Sequence, residues 1–223
     1  MPMRRHLMFF RILDRMVQIL TWLNPPACIV TQRKECHYIM KANFQNGDII
    51  QKKGVKSMDA IFNRTSIRKY KQESLKKEEI DLILKAAFSA PSARNSQPWQ
   101  FIVVENKDTL KDLSQMTPYA SFLKDAAMGM VVCADKNKND SLDYCQQDLA
   151  AATENMLVEA KSLGIGSCWL GVYPNEERYL ALNQYFKLPK GIVPMWMISF
   201  GYIDQEEVVK DKFDSSKVHY EKY

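Results

Sequence analysis

Residues 58–223 are predicted to form a single mixed domain in which helices alternate with short buried strands. Apolar residues recur every three or four positions over 75–89 and 142–163, a spacing typical of helices that pack one face on a core. The runs WQFIVV (99–104) and GMVVCA (129–134) are short, apolar and valine-containing, which indicates buried strands. No internal repeat or low-complexity linker interrupts this part of the sequence, so one domain is expected.

The ends of the two longer helices carry their own signals. Ser74 is expected to cap the helix over 75–89, and Gly164 is expected to terminate the helix over 142–163. The remaining helices are expected at 58–63, near 107–116 and near 175–186, and the remaining strands at 167–172 and within 195–202.

Positive charge is concentrated in the first quarter of the chain. Residues 1–57 hold ten Lys/Arg against three Asp/Glu, whereas residues 58–223 hold 21 against 23. The predicted domain therefore lacks the basic balance that nucleic-acid binding requires, and we expect no nucleic-acid partner.

Residues 1–57 differ from the rest of the chain and leave two interpretations open. Residues 7–23 have the pattern of an amphipathic helix, but charged residues interrupt it, so neither a membrane-spanning helix nor a secretory signal fits. The segment is either a basic extension that lies on a membrane surface or the product of a mis-assigned start. Residues 53–55 can be encoded by a purine-rich ribosome-binding sequence a few codons before Met58, which supports a start at Met58 with the same weight as the membrane-surface interpretation.

The five cysteines and three histidines limit the possible chemistry. The cysteines form no CxxC pair and no Cys/His zinc spacing, so we expect no metal site and a reducing, cytoplasmic location. Three histidines, at positions 6, 37 and 219, are too dispersed for a His-dependent triad, and no GxxxxGK[ST] phosphate loop is present. A protein that lacks a metal site and a His-dependent triad is expected to rely on a bound cofactor for its chemistry.

The first segment suited to a cofactor is Arg64-Thr65-Ser66-Ile67-Arg68. Its two guanidinium groups and two hydroxyls suit a phosphate or another oxyanion. Taken alone, the same pattern also describes a solvated turn, and on that basis alone the turn is the favoured interpretation.

Two further segments carry suitable residues. In residues 90–100, prolines stiffen the chain, small residues allow a flat ligand to approach, and the amides of Asn95 and Gln97 match the alternating donors and acceptors of an isoalloxazine edge. A rigid connecting loop is the alternative. In residues 164–169, GIGSCW, glycine lets backbone N–H groups approach a ligand. That segment is not GxGxxG and follows a helix, so a dinucleotide Rossmann site is disfavoured.

Together the segments RTSIRKY, APSARNSQPWQF, LGIGSCWLG and DKFDSSKVHYEKY resemble, in order and spacing, the FMN-dependent nitroreductase family. The resemblance covers essentially all of residues 58–223, whereas residues 1–57 have no counterpart in the family pattern. It implies an α+β fold with a central mixed or antiparallel sheet flanked by helices. It also implies an intertwined homodimer, with FMN at the subunit interface and the terminal HYEKY as an arm around the neighbouring subunit.

The resemblance also implies which residues bind the cofactor. The amino-terminal flavin-binding run contains Arg64, Thr65, Ser66 and Arg68. The second side of the flavin is lined by residues of which some reach the flavin of the partner subunit: Pro91, Ser92, Ala93, Asn95 and Gln97. Ile165 and Gly166 lie near flavin N5, and Lys212 lies at the phosphate. Many relatives carry arginine where Lys212 lies, and lysine lacks the bidentate fork.

The activity that the resemblance implies is a ping-pong electron relay. NADH or NADPH delivers hydride to flavin N5, the oxidised nicotinamide leaves, and a small electron-poor acceptor such as a nitroaromatic, a quinone or a flavin takes its place. No catalytic side chain is required. The alternatives are a non-catalytic flavin-binding or storage protein and a reductive dehalogenase of the same family. Tyr119 and Phe122, in the variable segment 113–128, are candidates to stack on an acceptor, although core or helix-face packing is the favoured interpretation.

Overall fold

The computed structural model describes residues 59–223, so the predictions for residues 1–57 and for Met58 lie outside the described part of the chain. The helices are α1 Asp59–Asn63, α2 Lys77–Phe88, α3 Lys107–Gln115, α4 Leu142–Ser162 and α5 Glu176–Phe186, and the strands are β1 Trp99–Val104, β2 Met128–Asp135, β3 Ile165–Gly171 and β4 Ile192–Tyr202. Every predicted helix and strand in this part of the chain is present, with ends that differ by a few residues. None of its helices has the length and apolar character needed to cross a bilayer.

The strands form one antiparallel sheet in the order β1-β2-β4-β3. β2 and β4 occupy its centre, which explains their nearly continuous apolar sequences, since a central strand with both faces covered has no solvent side. Side chains of successive residues leave the sheet on opposite faces: Met130 and Val132 enter one core cluster, and Val131 and Cys133 enter the other.

Helices cover both faces of the sheet. α2 and α4 pack on one face through buried residues such as Ile83, Leu149 and Met156. The other face carries Leu110 and Leu113 of α3, together with residues of the 3₁₀ turn Ser121–Asp125 and of α5. This arrangement of helical layers around a sheet is the predicted α+β fold, with the sheet antiparallel throughout.

Two of the differences between predicted and observed boundaries have a clear physical cause. Ser74 does not cap α2: the N-cap is Lys76, whose backbone N–H donates to Glu79 Oε2 at 2.8 Å. The chain reaches the helix later than predicted because Leu75 is buried in the core before α2 begins. β3 begins at Ile165, earlier than predicted, because Gly164 takes a φ of +75° and turns the chain directly from α4 into the strand.

A pair of glycines lets the segment before α2 lie against the sheet. Gly166 of β3 and Gly201 of β4 are direct cross-strand partners. A Cβ on Gly166 would lie 2.8 Å from Ile67, and one on Gly201 would lie 2.8 Å from Tyr70. The two glycines therefore leave the space that the buried side chains of Ile67 and Tyr70 fill.

Candidate functional site

The run of residues 64–68 is held in place through its backbone from two sides. Ser66 forms a bridge with Ser167 of β3, and the Ile67 N–H donates to the Ser167 carbonyl at 2.9 Å. On the other side, the backbone N–H groups of Arg68 and Lys69 both donate to Gln205 Oε1, at 2.8 and 3.0 Å. These bonds fix the backbone of the run, while the exposed side chains of Ser66 and Arg68 are available to a ligand.

Two polar atoms of this run are buried without a hydrogen-bond partner in the described residues: Arg64 Nε and Thr65 Oγ1. Arg64 Nε lies 3.3 Å from Glu154 Oε1, which is within ion-pair distance but is not aligned as a hydrogen bond. A buried polar atom without a partner costs roughly 1–3 kcal/mol. A ligand with oxygen acceptors would remove that cost, so these residues fit a phosphate-bearing cofactor.

The first and third predicted segments come together at β3. Burial raises the pKa of the Cys168 thiol, while Arg68, the Ser66 hydroxyl and Arg64 all act in the opposite direction. These groups must be close to Cys168 to influence it. Burial is the larger effect, so Cys168 stays a protonated, buried thiol rather than a nucleophile.

A cavity of about 480 Å³ opens beside Arg68. Trp169, Leu170 and Gly171, at the carboxyl end of β3, form one side of it, and Tyr119 and Phe122 contribute aromatic rings. A Cβ on Gly171 would meet no atom within 4 Å, so this end of the strand is open. The volume is within the range of small-molecule sites.

The two aromatic candidates behave differently. Phe122 is half-buried and packs against the second core cluster, in agreement with the favoured interpretation. Tyr119 is 67% exposed, so the expectation that it packs in the core or on a helix face is wrong. Its ring lies under the guanidinium of Arg178, 5.4 Å from the ring centroid, at the edge of the cavity.

The second predicted segment forms a rigid, separate loop. Ala93 N–H donates to Asp148 Oδ1 at 2.8 Å, Gln97 N–H donates to Ser92 Oγ at 3.0 Å, and Gln97 Nε2 donates to Asn95 Oδ1 at 3.1 Å. Asn95 and Gln97 both have positive φ, 53° and 47°, which is uncommon for residues other than glycine. Pro91, Asn95 and Gln97 are exposed. No hydrogen bond or ion pair within residues 59–223 joins this loop to the 64–68 run of the same chain.

The remaining predicted residues lie away from open space or away from the cavity. Ile165 and Gly166 are buried, and Ile67 covers Gly166, so their approach to a flavin stays a prediction. Lys212 is exposed on the extended tail, and its role at a phosphate also stays a prediction. The sequence analysis missed Gly171 and Arg178. Gly171 was visible as a glycine at the end of a predicted strand, whereas Arg178 reaches the cavity only through the packing of α5.

The fold and this site define an α+β protein whose 64–68 run fits a phosphate-bearing cofactor and whose neighbouring cavity is open and partly lined by aromatic side chains. The model of the nitroreductase family matches residues 61–117 and 114–202. The chain therefore belongs to the nitroreductase family, and the resemblance predicted from the sequence is confirmed.

Relatives over the same region agree with this assignment. A protein of Archaeoglobus fulgidus, provisionally named NADH dehydrogenase/NAD(P)H nitroreductase, is 44% identical over 167 residues, which cover 73% of this chain and 96% of that protein. The structure of an FMN-dependent nitroreductase from Clostridium difficile has a TM-score of 0.70 and 35% identity, and the match covers 75% of this chain and 100% of that one. The FMN complex of a provisionally named nitroreductase from Desulfovibrio desulfuricans has a TM-score of 0.66 and 28% identity, with 74% and 96% covered.

Proposed function

We propose that this protein passes electrons from NAD(P)H through FMN to small electron-poor acceptors, such as nitroaromatics, quinones or flavins, in a ping-pong cycle. Named relatives in the family are NAD(P)H-dependent flavin oxidoreductases, and one of them is an NADPH-dependent FMN reductase of Bacillus subtilis. The observation that carries the proposal is the 64–68 run beside β3: Arg64 Nε and Thr65 Oγ1 have no hydrogen-bond partner in the described residues, and Arg68 of the same run lines the open cavity.

FMN, when bound, supplies the two-electron chemistry, and the side chains of this protein hold it. Arg64 and Thr65 would satisfy their unpaired atoms on its oxygens, with Ser66 beside them. Arg68 is exposed and lines the cavity, so its positive charge would favour the anionic, reduced form of the ring. Such preorganised charges contribute about 2–4 kcal/mol. The aromatic side chains of the cavity would shield the reacting face from water.

The proposal includes a homodimer. The rigid loop with Pro91, Ser92, Ala93, Asn95 and Gln97 would contact the FMN of the partner subunit, because within one chain no described contact brings it to the 64–68 run. Phe213 and Tyr220, on the tail that carries Lys212, are 68% and 85% exposed. Exposed aromatic residues on a polar tail are suited to packing on another subunit.

The boundaries and the location remain part of the same proposal. Residues 58–223 would form the flavin domain, and residues 1–57 would be a basic extension outside it. A cytoplasmic location is supported by Cys133, Cys145 and Cys168, which are free thiols within the described residues.

The test is the visible spectrum of the purified full chain under anaerobic conditions. With FMN bound, we expect NADH or NADPH to bleach the flavin absorption and a quinone to restore it, each at about one equivalent. A storage protein would bind FMN and stay yellow with both nicotinamides. A protein that is colourless and does not bind added FMN would overturn the proposal. Halide release from a halogenated phenol, measured with the bleached protein, separates the dehalogenase alternative.

A further inference from the structure

Two guanidinium groups that line the cavity beside Arg68 lie over aromatic rings. Arg68 lies 5.8 Å from the ring centroid of Phe122, and Arg178 lies 5.4 Å from that of Tyr119. Both arginines and both rings line the same cavity. Arg68 is already accounted for by the proposed cofactor role, so Arg178 requires a separate explanation.

The charge of Arg178 is not neutralised by the protein. No Asp or Glu lines the cavity, and Arg178 forms no ion pair among residues 59–223, in contrast to Arg64, which lies beside Glu154. Its neighbours in sequence, Glu176 and Glu177, are exposed and lie outside the cavity lining. Arg178 also belongs to the first turn of α5, where the helix dipole disfavours a cation. Helix stability therefore does not explain this arginine.

The way in which Arg178 is held leaves its donors free. The guanidinium carbon of Arg178 lies over the Tyr119 ring and the residue is half-buried, so the position of the guanidinium is restrained. The N–H groups point outward in the plane of the guanidinium, where they can form a bidentate pair with a carboxylate. The rings of Tyr119 and Phe122 offer flat apolar surfaces to an aromatic molecule in the same space.

We infer that Arg178 selects the acceptor, and that the favoured acceptors are aromatic compounds that carry a carboxylate or a similar anionic group. This inference rests on the proposed function, because it assigns the acceptor class of the same site. Arg178 acts on substrate affinity, while the electrons still pass from the reduced cofactor to the electron-poor group of the acceptor.

The kinetic test uses two acceptors of nearly equal shape, 4-nitrobenzoate and 4-nitrobenzamide, with the FMN-loaded full chain and saturating nicotinamide. The native enzyme should have a kcat/KM about tenfold higher for the benzoate, since a charge-assisted bidentate pair replaces a neutral contact. Arg178→Gln should lower the benzoate value about tenfold, chiefly through KM, and leave the benzamide value within about twofold. Arg178→Lys should be intermediate, because lysine keeps the charge but loses the fork.

The matched control is Lys124→Gln. Lys124 is exposed on the neighbouring turn Ser121–Asp125 and does not line the cavity, so the same change in net charge should leave both acceptors unaffected. A loss of benzoate preference in this control would mean that general surface charge, and not Arg178, attracts the anion, and the inference would fail.

A binding measurement separates this inference from the proposed function. Benzoate, which cannot be reduced, should bind the oxidised FMN-loaded protein in a calorimetric titration, and Arg178→Gln should weaken that binding about tenfold. Two results would overturn the inference. The first is equal kcat/KM values for the two acceptors in the native enzyme. The second is a rise in the KM for the nicotinamide alone in Arg178→Gln, which would assign Arg178 to binding of the nicotinamide nucleotide. If neither NADH nor NADPH bleaches the bound flavin but benzoate binds through Arg178, the proposed function fails and the anion site stands.

Discussion

Gly166 is the position at which a single methyl group should disturb the cofactor run. In Gly166→Ala, the new Cβ would lie 2.8 Å from Cβ, Cγ1 and Cγ2 of Ile67. Carbon atoms in normal contact are about 3.5–4.0 Å apart, so the overlap approaches 1 Å at three atoms. Ile67 is only 1% exposed, and its N–H is bonded to the Ser167 carbonyl at 2.9 Å, so it cannot move aside without moving the backbone between Ser66 and Arg68.

The expected loss of stability follows from two opposing terms. Overpacking of a core typically costs about 1–3 kcal/mol. Replacing glycine by alanine returns about 0.4–1 kcal/mol, because the unfolded chain has fewer conformations. We therefore expect the free energy of unfolding of Gly166→Ala to fall by roughly 1–2 kcal/mol.

Urea unfolding of the apoprotein and FMN titration by flavin fluorescence measure the two consequences. Gly171→Ala is the matched control, because a Cβ there meets no atom within 4 Å. It should keep native stability, whereas Gly166→Ala should lose both stability and FMN affinity. Combining Gly166→Ala with Ile67→Ala should destabilise less than the sum of the single changes. A Gly166→Ala protein as stable as Gly171→Ala would refute the packing argument.

Four other variants examine the same region. Thr65→Val removes a buried hydroxyl that has no partner in the described residues. The apoprotein should therefore be at least as stable as the native apoprotein, while the FMN dissociation constant should rise roughly 2- to 10-fold. A variant apoprotein less stable than the native one would contradict this. Arg68→Ala should lower the flavin reduction potential and weaken FMN binding, and an unchanged potential with unchanged flavin occupancy would exclude the proposed role. Burial raises the pKa of Tyr70 well above its usual value, which keeps the phenol protonated between Ser199 Oγ (2.6 Å) and the Ile67 carbonyl (2.5 Å). Tyr70→Phe should therefore lower the free energy of unfolding by about 1–3 kcal/mol. Ser199→Ala should lower it by less, because the phenol keeps its hydrogen bond to the Ile67 carbonyl. Equal losses of the two variants in urea unfolding would argue against this account.

The sequence predicted the elements of the fold well because their signals are local. The apolar spacing of α4 and the apolar run of β2 report burial directly, whereas β1, predicted as a buried strand, is an edge strand that is mostly only partly buried. The start of α2 was misjudged because serine is a good cap by itself, whereas the burial of Leu75 is a tertiary effect. The early start of β3 depends on the left-handed conformation of Gly164, which permits but does not require an immediate strand.

The candidate site was predictable only where its residues are adjacent in sequence. The 64–68 run is one such cluster, whereas its bridge to Ser167 of β3 joins residues far apart in sequence and was not predicted. The cavity beside Arg68 combines α5, β3 and the 117–122 segment, so nothing in the sequence near Arg178 indicates that its guanidinium rests on Tyr119. The positive φ angles of Asn95 and Gln97 likewise depend on the hydrogen bonds that close their loop.

Gln205 links the two ends of the flavin domain. Its side chain accepts from Arg68 and Lys69, the Asp204 N–H donates to the Lys69 carbonyl at 3.1 Å, and two residues further on Glu207 pairs with Lys161 of α4 at 2.5 Å. A chain cut after residue 208 would retain this fastening, whereas one cut after residue 203 would release the backbone beneath Arg68. Proteolysis of the carboxyl terminus that stops at residue 208 would therefore leave the 64–68 run in place. Proteolysis that continues to residue 203 would loosen it.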